Sequence, residues 1–156
     1  MKKILFVCTG NTCRSIMAEA LMRKLLVKEN KDCEVMSAGV SAIEGSPPSR
    51  QALEVMREWG VSLEGQRANL LTTDLVEEAD LILTMTCQHK VRIKNTYSKV
   101  EPKLYTLKEY TAKNKGEKRE EVNVIDPFGQ PVSAYRKTAK EIKEELEKLV
   151  KHLTCE

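Results

Sequence analysis

The chain has 156 residues, of which 41% are hydrophobic and 31% are charged, and its formal net charge is +3. This length and composition are typical of one folded domain with a sizeable core and exclude a disordered chain, so we treat residues 1–156 as a single domain. The small net charge gives no argument for a nucleic-acid partner, and the apolar runs are too short to cross a membrane.

The start of the chain, Met1-Lys2-Lys3 followed by apolar residues, imitates a signal peptide, but its apolar run is too short for a signal core. The five cysteines are odd in number and lack the spacing of a disulfide framework. This pattern favours a cytoplasmic protein whose thiols stay free.

The first predicted strand, Lys3 to Val7, runs into a loop, and a helix is predicted from Arg14 to about Glu29. Loops at helix N-termini attract anions. The backbone between Cys8 and Arg14 is long enough to curl around a tetrahedral oxyanion and to bring the guanidinium back to two of its oxygens. We therefore predict a phosphate-binding loop whose backbone N–H groups lie above a cysteine nucleophile, with the sequence Cys8-Thr9-Gly10-Asn11-Thr12-Cys13-Arg14-Ser15.

Each residue type in this loop meets a separate chemical need. The thiolate is the nucleophilic form of cysteine, and helix N-termini and nearby cations favour it, so we expect Cys8 to be ionised. The Ser15 hydroxyl is placed to donate a hydrogen bond to this sulfur and to make it a better leaving group once it is phosphorylated. Gly10 and Asn11 tolerate the left-handed backbone that such a loop requires. A nucleotide-binding P-loop is excluded because no Gly-Lys-Ser/Thr follows the glycine.

Apolar runs and helical patterns alternate along the rest of the chain, which is typical of parallel βαβ units. Three further strands are predicted, at Cys33 to Ser37, Leu81 to Met85 and Lys103 to Tyr105. Helices are predicted at Ser49 to Trp59, Thr73 to Ala79, Gln88 to Asn95 and Val132 to Leu153. The stretch Gly39 to Pro48 is rich in Gly, Ser and Pro, and we expect it to form a loop that borders the site. The polar stretch Thr111 to Asn123 is predicted to be a solvated loop.

The loop, together with Met17-Ala18-Glu19 after it, resembles the signature of the low molecular weight protein tyrosine phosphatases. Ser37-Ala38-Gly39 and Asp126-Pro127-Phe128-Gly129 look like two further landmarks of this family, in the right order. One departure is Ile16, where the family usually has proline; proline suits the first turn of a helix, so its loss costs some rigidity but no catalytic group. Together with the alternating pattern, the resemblance implies an α/β three-layer sandwich, with a small twisted parallel sheet of about four strands flanked by helices on both faces.

The resemblance also implies a reaction. Cys8 would form a phosphocysteine, Arg14 and the loop amides of Thr9 to Ser15 would hold the phosphoryl group, and Asn11, Ser15 and Ser37 would support the loop. Phosphorylated proteins would be the partners and inorganic phosphate the product. No cofactor is implied because the loop and Arg14 handle the phosphoryl charge, and the cysteines and histidines show no metal-ligand spacing.

Asp126 is the predicted acid. A cysteine phosphatase needs a group that protonates the leaving group, and the same carboxylate can then accept a proton from the water that attacks the phosphocysteine. By itself, an Asp-Pro pair in a loop is usually a turn initiator. The resemblance favours the catalytic role.

Cys13 has two interpretations. It could form a reversible disulfide with Cys8 that protects the nucleophile from further oxidation, or it could be a small apolar filler under the loop. We favour the redox pair. Cys33, Cys87 and Cys155 are interpreted as structural thiols, and His89 and His152 as surface or capping groups.

The substrate must be chosen by the pocket walls, and our candidates are Thr12, Ser41, Ile43 and Phe128. Thr12 and Phe128-Gly129 resemble the protein arginine phosphatase branch of the family, whereas tyrosine-specific members more often carry a larger aliphatic residue and paired tyrosines at these places. We therefore favour phosphoarginine over phosphotyrosine.

Two other classes of protein are less favoured alternatives. Arsenate reductase relatives need two further cysteines downstream, and a phosphoprotein-binding module would lack the nucleophile or the acid.

Overall fold

The structure, a computed structural model, describes residues 2–114 and 121–154. Four parallel strands form one sheet in the order β2-β1-β3-β4, as the alternating pattern predicts. Their bounds are β1 Lys2–Cys8, β2 Cys33–Gly39, β3 Leu81–Thr84 and β4 Leu104–Thr106. The central strand is apolar on both faces, and Ile4 to Val7 are each 0% exposed. Continuous apolar strands of this kind are typical of a parallel sheet with helices on both sides.

Helices cover both faces of the sheet. Ile4 and Phe6 point to one face, where they pack with residues of the first, second and last helices, and Leu5 and Val7 point to the other. The three-layer sandwich expected from the sequence is therefore confirmed. The helices are α1 Arg14–Lys28, α2 Arg50–Glu58, α3 Thr73–Glu78, α4 Cys87–Thr96, α5 Leu107–Asn114 and α6 Val132–His152, with a 3₁₀ turn at Glu101–Lys103. No helix among the described residues is long and apolar enough to span a bilayer.

The loops that follow the strands meet at the carboxyl edge of the sheet, where open α/β sheets place their sites. Strand β1 lies between β2 and β3, and the Val40 N–H donates to the Cys8 carbonyl at 2.9 Å. Gly39 is required here, since a Cβ atom at this position would lie 2.4 Å from the Thr9 carbonyl oxygen. The glycine thus lets the end of β2 pack directly against the loop that follows β1.

The predicted loop Thr111 to Asn123 is wrong at its start, because Thr111 to Asn114 belong to α5. Thr111 is 1% exposed and its hydroxyl donates to Glu145 of α6 at 2.8 Å. Lys108 is also buried and pairs with Glu141. These polar residues imitate a solvated loop in the sequence, but α6 supplies their partners. Residues 115–120 lie outside the described residues, and 121–123 have no regular structure.

Two cysteine and histidine predictions also need correction. Cys33 is disulfide-bonded rather than free, and the prediction for Cys155 lies outside the described residues. His89 is not a surface group, since only 6% of it is exposed. Cys8, Cys13 and Cys87 are free thiols, as predicted.

Candidate active site

The loop between β1 and α1 forms a cradle at the carboxyl edge of the sheet. Strand β1 ends at Cys8 and α1 begins at Arg14, in agreement with the predicted strand, loop and helix. Asn11 has the positive φ of 55° predicted for the loop, whereas Gly10 does not use the left-handed region. Over the described residues, the backbone N–H groups of positions 9–13 donate to no protein acceptor. Such a set of donors beside a helix N-terminus suits an oxyanion.

The Cys8 thiol is buried and lies 2.8 Å from Ser15 Oγ. The neighbours of the serine determine which group donates. Asn11 Nδ2 donates to Ser15 Oγ at 2.8 Å, so the hydroxyl proton of Ser15 is left to point at the sulfur. A hydroxyl donor stabilises a thiolate more than a thiol, because hydrogen bonds to charged acceptors are stronger.

Asn11 links this serine to a buried network. Its Oδ1 accepts from the Asn69 backbone N–H at 2.9 Å, which fixes the orientation of the amide, and its Nδ2 also donates to Ser37 Oγ at 2.9 Å. Ser37 in turn donates to Glu19 Oε1 at 2.7 Å. Glu19 is 5% exposed, and Arg23, one helical turn later, neutralises it. Each hydrogen bond of the network therefore has a defined donor and acceptor, and Asn11 and Ser37 both belong to it.

Arg14 lies on the floor of the cradle and is 3% exposed. One terminal nitrogen donates to the Val124 carbonyl at 3.0 Å, and the other lies 3.5 Å from Asp126 Oδ2. Its Nε is buried and has no partner among the described residues. A buried donor without a partner is rare in folded proteins. Its presence beside free backbone N–H groups fits a site for a doubly charged oxyanion.

Asp126 is brought to the mouth of the cradle by a turn. Its Oδ1 accepts from the Phe128 backbone N–H at 3.0 Å, and the turn continues with a hydrogen bond from the Gln130 N–H to the Pro127 carbonyl at 3.0 Å. The Asp126 side chain is 46% exposed. A carboxylate that is anchored at one oxygen and open to solvent can exchange protons with a bound molecule and with water.

Cys13 lies between the nucleophile and the acid. Its sulfur is 3.8 Å from Asp126 Oδ1. Burial, and then the nearby Cys8 and Asp126, raise the pKa of the Cys13 thiol to about 12. Cys13 is therefore a thiol at neutral pH, and its predicted redox role remains a prediction.

The four predicted specificity residues lie in different surroundings. Thr12 is half-buried in the loop, and its carbonyl accepts from the Ser49 N–H at the start of α2. Ser41 is next to the loop, because its N–H donates to the Thr9 carbonyl at 2.9 Å. Ile43 and Phe128 are 77% and 74% exposed. Thr12 thus belongs to the cradle and Ser41 borders it, whereas Ile43 and Phe128 are apolar surfaces open to a large molecule.

The sequence interpretation missed His89. Its Nε2 lies 2.8 Å from Thr9 Oγ1, and its Nδ1 lies 3.0 Å from Thr86 Oγ1. Burial, and then the Arg14 guanidinium, lower the pKa of His89 to about 4, so the ring is neutral at physiological pH. The contact joins residues that are distant in sequence, so no local pattern reveals it. Asn69 was missed for the same reason.

The arrangement can perform one type of chemistry. A thiol that accepts a hydrogen bond stands below free N–H donors and a buried guanidinium, and a carboxylate stands at the opening. These groups suit nucleophilic attack on a phosphoryl centre with protonation of the leaving group. No group of side chains among the described residues could hold a metal ion.

A parallel α/β sandwich with such a cysteine and arginine loop defines a cysteine-dependent phosphatase. The sequence model of the low molecular weight phosphotyrosine protein phosphatase family matches residues 3–156, so the chain belongs to this family and is a hydrolase.

Individual relatives differ in their named substrate. The chain is 41% identical to a protein-arginine-phosphatase of Bacillus subtilis (strain 168) over 150 residues, which cover 96% of this chain and 95% of the relative. It is 36% identical to the low molecular weight protein-tyrosine-phosphatase PtpB of Staphylococcus haemolyticus (strain JCSC1435), over 90% of this chain and 91% of the relative. Among solved structures, a mutant YwlE arginine phosphatase with a phosphorylated active-site serine superposes with a TM-score of 0.89 at 40% identity, over 97% of this chain and 95% of that one.

Proposed function

We propose that this protein is a protein arginine phosphatase that works through a phosphocysteine intermediate. The observation that carries the choice of substrate is the similarity along nearly the whole chain to a relative named protein-arginine-phosphatase. Thr12 supports it, because its hydroxyl beside the phosphorus can accept a hydrogen bond from a guanidinium N–H. We place its substrates, phosphorylated proteins, in the cytoplasm; the nucleophile Cys8 is a free thiol, although Cys33 is disulfide-bonded.

In the first step, Cys8 attacks the phosphorus in line with the phosphorus–nitrogen bond. The new sulfur–phosphorus bond forms as the phosphorus–nitrogen bond breaks, and Asp126 gives its proton to the departing guanidine nitrogen. The loop N–H groups and Arg14 hold the phosphoryl oxygens, so the developing charge meets donors that are already in place. The half-exposed carboxylate suits this role because it can be protonated from solvent before each turnover.

In the second step, water attacks the phosphocysteine. Asp126, now ionised, accepts a proton from the water, the sulfur–phosphorus bond breaks, and inorganic phosphate leaves. Ser15 lowers the cost of this step, since its hydroxyl donates to the departing thiolate at the distance of 2.8 Å found in the structure. Asn11 and Ser37 keep the serine in the donating orientation.

The role of Asp126 is tested by Asp126→Asn, which keeps the shape and the turn but cannot supply the proton. We expect kcat for a phosphoarginine peptide to fall about 100-fold or more, because general acid catalysis contributes roughly 10²–10⁴-fold. The exposed Asp74 of α3 is changed to Asn as a matched control and is expected to have wild-type kcat. Unchanged turnover by Asp126→Asn would remove this residue from the mechanism.

The choice of substrate is tested by measuring kcat/KM for one peptide sequence that carries either phosphoarginine or phosphotyrosine. We expect the wild type to prefer phosphoarginine and Thr12→Ile to shift the ratio towards phosphotyrosine, because the isoleucine removes the hydroxyl and adds apolar surface for a ring. Thr73→Ile, at an exposed position of α3, is the control. A wild type that hydrolyses phosphotyrosine faster would establish the second candidate.

The second candidate is a phosphotyrosine phosphatase, and the 36% identity to PtpB of S. haemolyticus favours it. The exposed ring of Phe128 is a surface on which a phenol could pack. An arsenate reductase is disfavoured because, outside the loop, Cys87 is the only free cysteine in the described part of the chain.

A further inference from the structure

His89 is a buried histidine whose two ring nitrogens both have hydroxyl partners. The ring lies between Thr9 Oγ1, at 2.8 Å from Nε2, and Thr86 Oγ1, at 3.0 Å from Nδ1. Thr9 is the residue directly after the nucleophile. The histidine therefore contacts the phosphate-binding loop at the residue whose backbone follows Cys8.

Thr9 is fixed at two points, and both leave its amide free. Its carbonyl accepts from the Ser41 N–H at 2.9 Å, and its side-chain hydroxyl bonds to His89. Across the described residues, the Thr9 N–H donates to no protein acceptor. Two anchors on either side of the Cα atom leave the peptide plane between Cys8 and Thr9 little freedom to rotate.

The other end of the histidine is attached to the sheet. Thr86 caps α4 by accepting from the His89 backbone N–H at 3.3 Å, and its carbonyl accepts from Thr84 Oγ1 at 2.8 Å. Thr84 is the last residue of β3 and pairs with Val7 of β1. The contact to Thr9 thus starts from a rigid part of the fold.

We propose that His89 is a positioning residue of the phosphatase reaction, which holds the Thr9 hydroxyl so that the adjacent loop N–H stays aimed at the phosphoryl oxygens. The proposal rests on the role given above to Cys8 and the loop. It does not depend on whether the leaving group is a guanidine or a phenol, because the histidine acts through Thr9 on the loop that holds the phosphoryl group.

The ring acts by orientation rather than by proton transfer. Its pKa is lowered to about 4, first by burial and then by Arg14, with Arg92 lowering it further and Asp126 opposing. A neutral imidazole has one N–H, so one of its two bonds is donated and the other accepted, and the hydroxyls of both threonines can take either part. No protonation change of His89 is needed in the working pH range.

The test replaces His89 by two residues whose side-chain amides differ in reach, glutamine and asparagine. Glutamine can place an amide group near the position of Nε2 and reach Thr9, whereas asparagine reaches only the position of Nδ1, beside Thr86. With para-nitrophenyl phosphate as the substrate and inorganic phosphate as the inhibitor, we expect His89→Asn to lower kcat/KM and raise the Ki of phosphate by about five- to tenfold, as for one lost hydrogen bond. His89→Gln is expected to stay within about twofold of the wild type.

A merely structural histidine gives a different pattern. Both amides would then change activity only in proportion to their loss of Tm, and Asn would not differ from Gln at equal stability. We expect the pH profile of kcat/KM to keep its two limbs in both variants, and a displaced limb would contradict the positioning role. Wild-type kcat/KM and Ki in His89→Asn would overturn the proposal.

Variants of Thr9 provide a second test of the positioning role, which remains decisive if His89→Asn does not fold. Thr9→Val removes the hydroxyl at nearly constant shape and is expected to match His89→Asn, whereas Thr9→Ser keeps the hydroxyl and should restore most of the activity. The double variant Thr9→Val, His89→Asn should lose no more than either single variant. Additive losses would show that the two residues act independently. A wild type without phosphatase activity would instead refute the proposed function, so the two failures are distinguishable.

Discussion

Ser15→Ala is the sharpest test of the site, because the serine hydroxyl makes only two side-chain hydrogen bonds and one of them is to the nucleophile. In the structure, Asn11 donates to Ser15 Oγ and leaves the hydroxyl proton for Cys8 at 2.8 Å. Alanine removes this donor and leaves the loop backbone unchanged. Asn11 keeps its bond to Ser37, so its amide stays in place.

The magnitude follows from the charge on the acceptor. A hydrogen bond to a charged group contributes about 1.5–3 kcal/mol, and about 1.4 kcal/mol corresponds to a factor of ten in rate. We therefore expect the rate of the step in which the thiolate leaves to fall about 10- to 150-fold. That step is the hydrolysis of the phosphocysteine. Slowing it makes the intermediate accumulate, and the first turnover should then appear as a burst.

The assay is rapid mixing of Ser15→Ala with para-nitrophenyl phosphate, followed by trapping of the phosphocysteine in acid. We expect a burst close to one equivalent of nitrophenol and a slow steady state. Ser133→Ala, at an exposed serine of α6, is the matched control and should behave as the wild type. Wild-type steady-state turnover by Ser15→Ala would refute the claim that Ser15 donates a hydrogen bond to the departing Cys8 thiolate. A slow steady state without a trapped phosphocysteine would refute it as well.

Three further predictions concern Cys13, Gly39 and His89. After treatment with peroxide, mass spectrometry should find a disulfide between Cys8 and Cys13 that a reductant reverses, and Cys13→Ser should be inactivated irreversibly; recovery of that variant would exclude the protective role. Gly39→Ala should lower the free energy of unfolding by about 1–3 kcal/mol, because its Cβ would lie 2.4 Å from the Thr9 carbonyl oxygen; an unchanged denaturation midpoint would contradict this contact. The pKa of His89 is about 4 in the folded chain and 6.5 ordinarily, so unfolding takes up a proton between these values and acidification destabilises the fold. The wild type should therefore lose up to about 3 kcal/mol more than His89→Gln between about pH 7 and pH 4 in urea titrations, and parallel curves would refute the buried neutral ring.

The sequence is sufficient for those parts of the site that depend on local order. Cys8 and Arg14 are recognisable because a buried strand, a short loop and a helix follow one another, and the alternation of apolar runs predicts the parallel sheet. Helix α5 is missed because Lys108 and Thr111 are polar, and only the packing of α6 shows that Glu141 and Glu145 pair with them. Tertiary partners of this kind override a local polarity pattern.

The difference between local sequence order and tertiary contacts also applies to the loop that holds the nucleophile. Two residues that the sequence interpretation missed, the exposed Asn69 and the buried His89, bond to opposite ends of the short segment Thr9 to Asn11. Asn69 precedes the residue that bridges to β2 at Gly39, and His89 follows β3, so each anchor comes from a different neighbour of the central strand. A loop that binds a dianion must keep its N–H groups convergent before the ligand arrives, since reorientation during the reaction would cost free energy. The parallel order β2-β1-β3 supplies this rigidity, because it places β1 and its cysteine between two strands whose following segments can reach the loop.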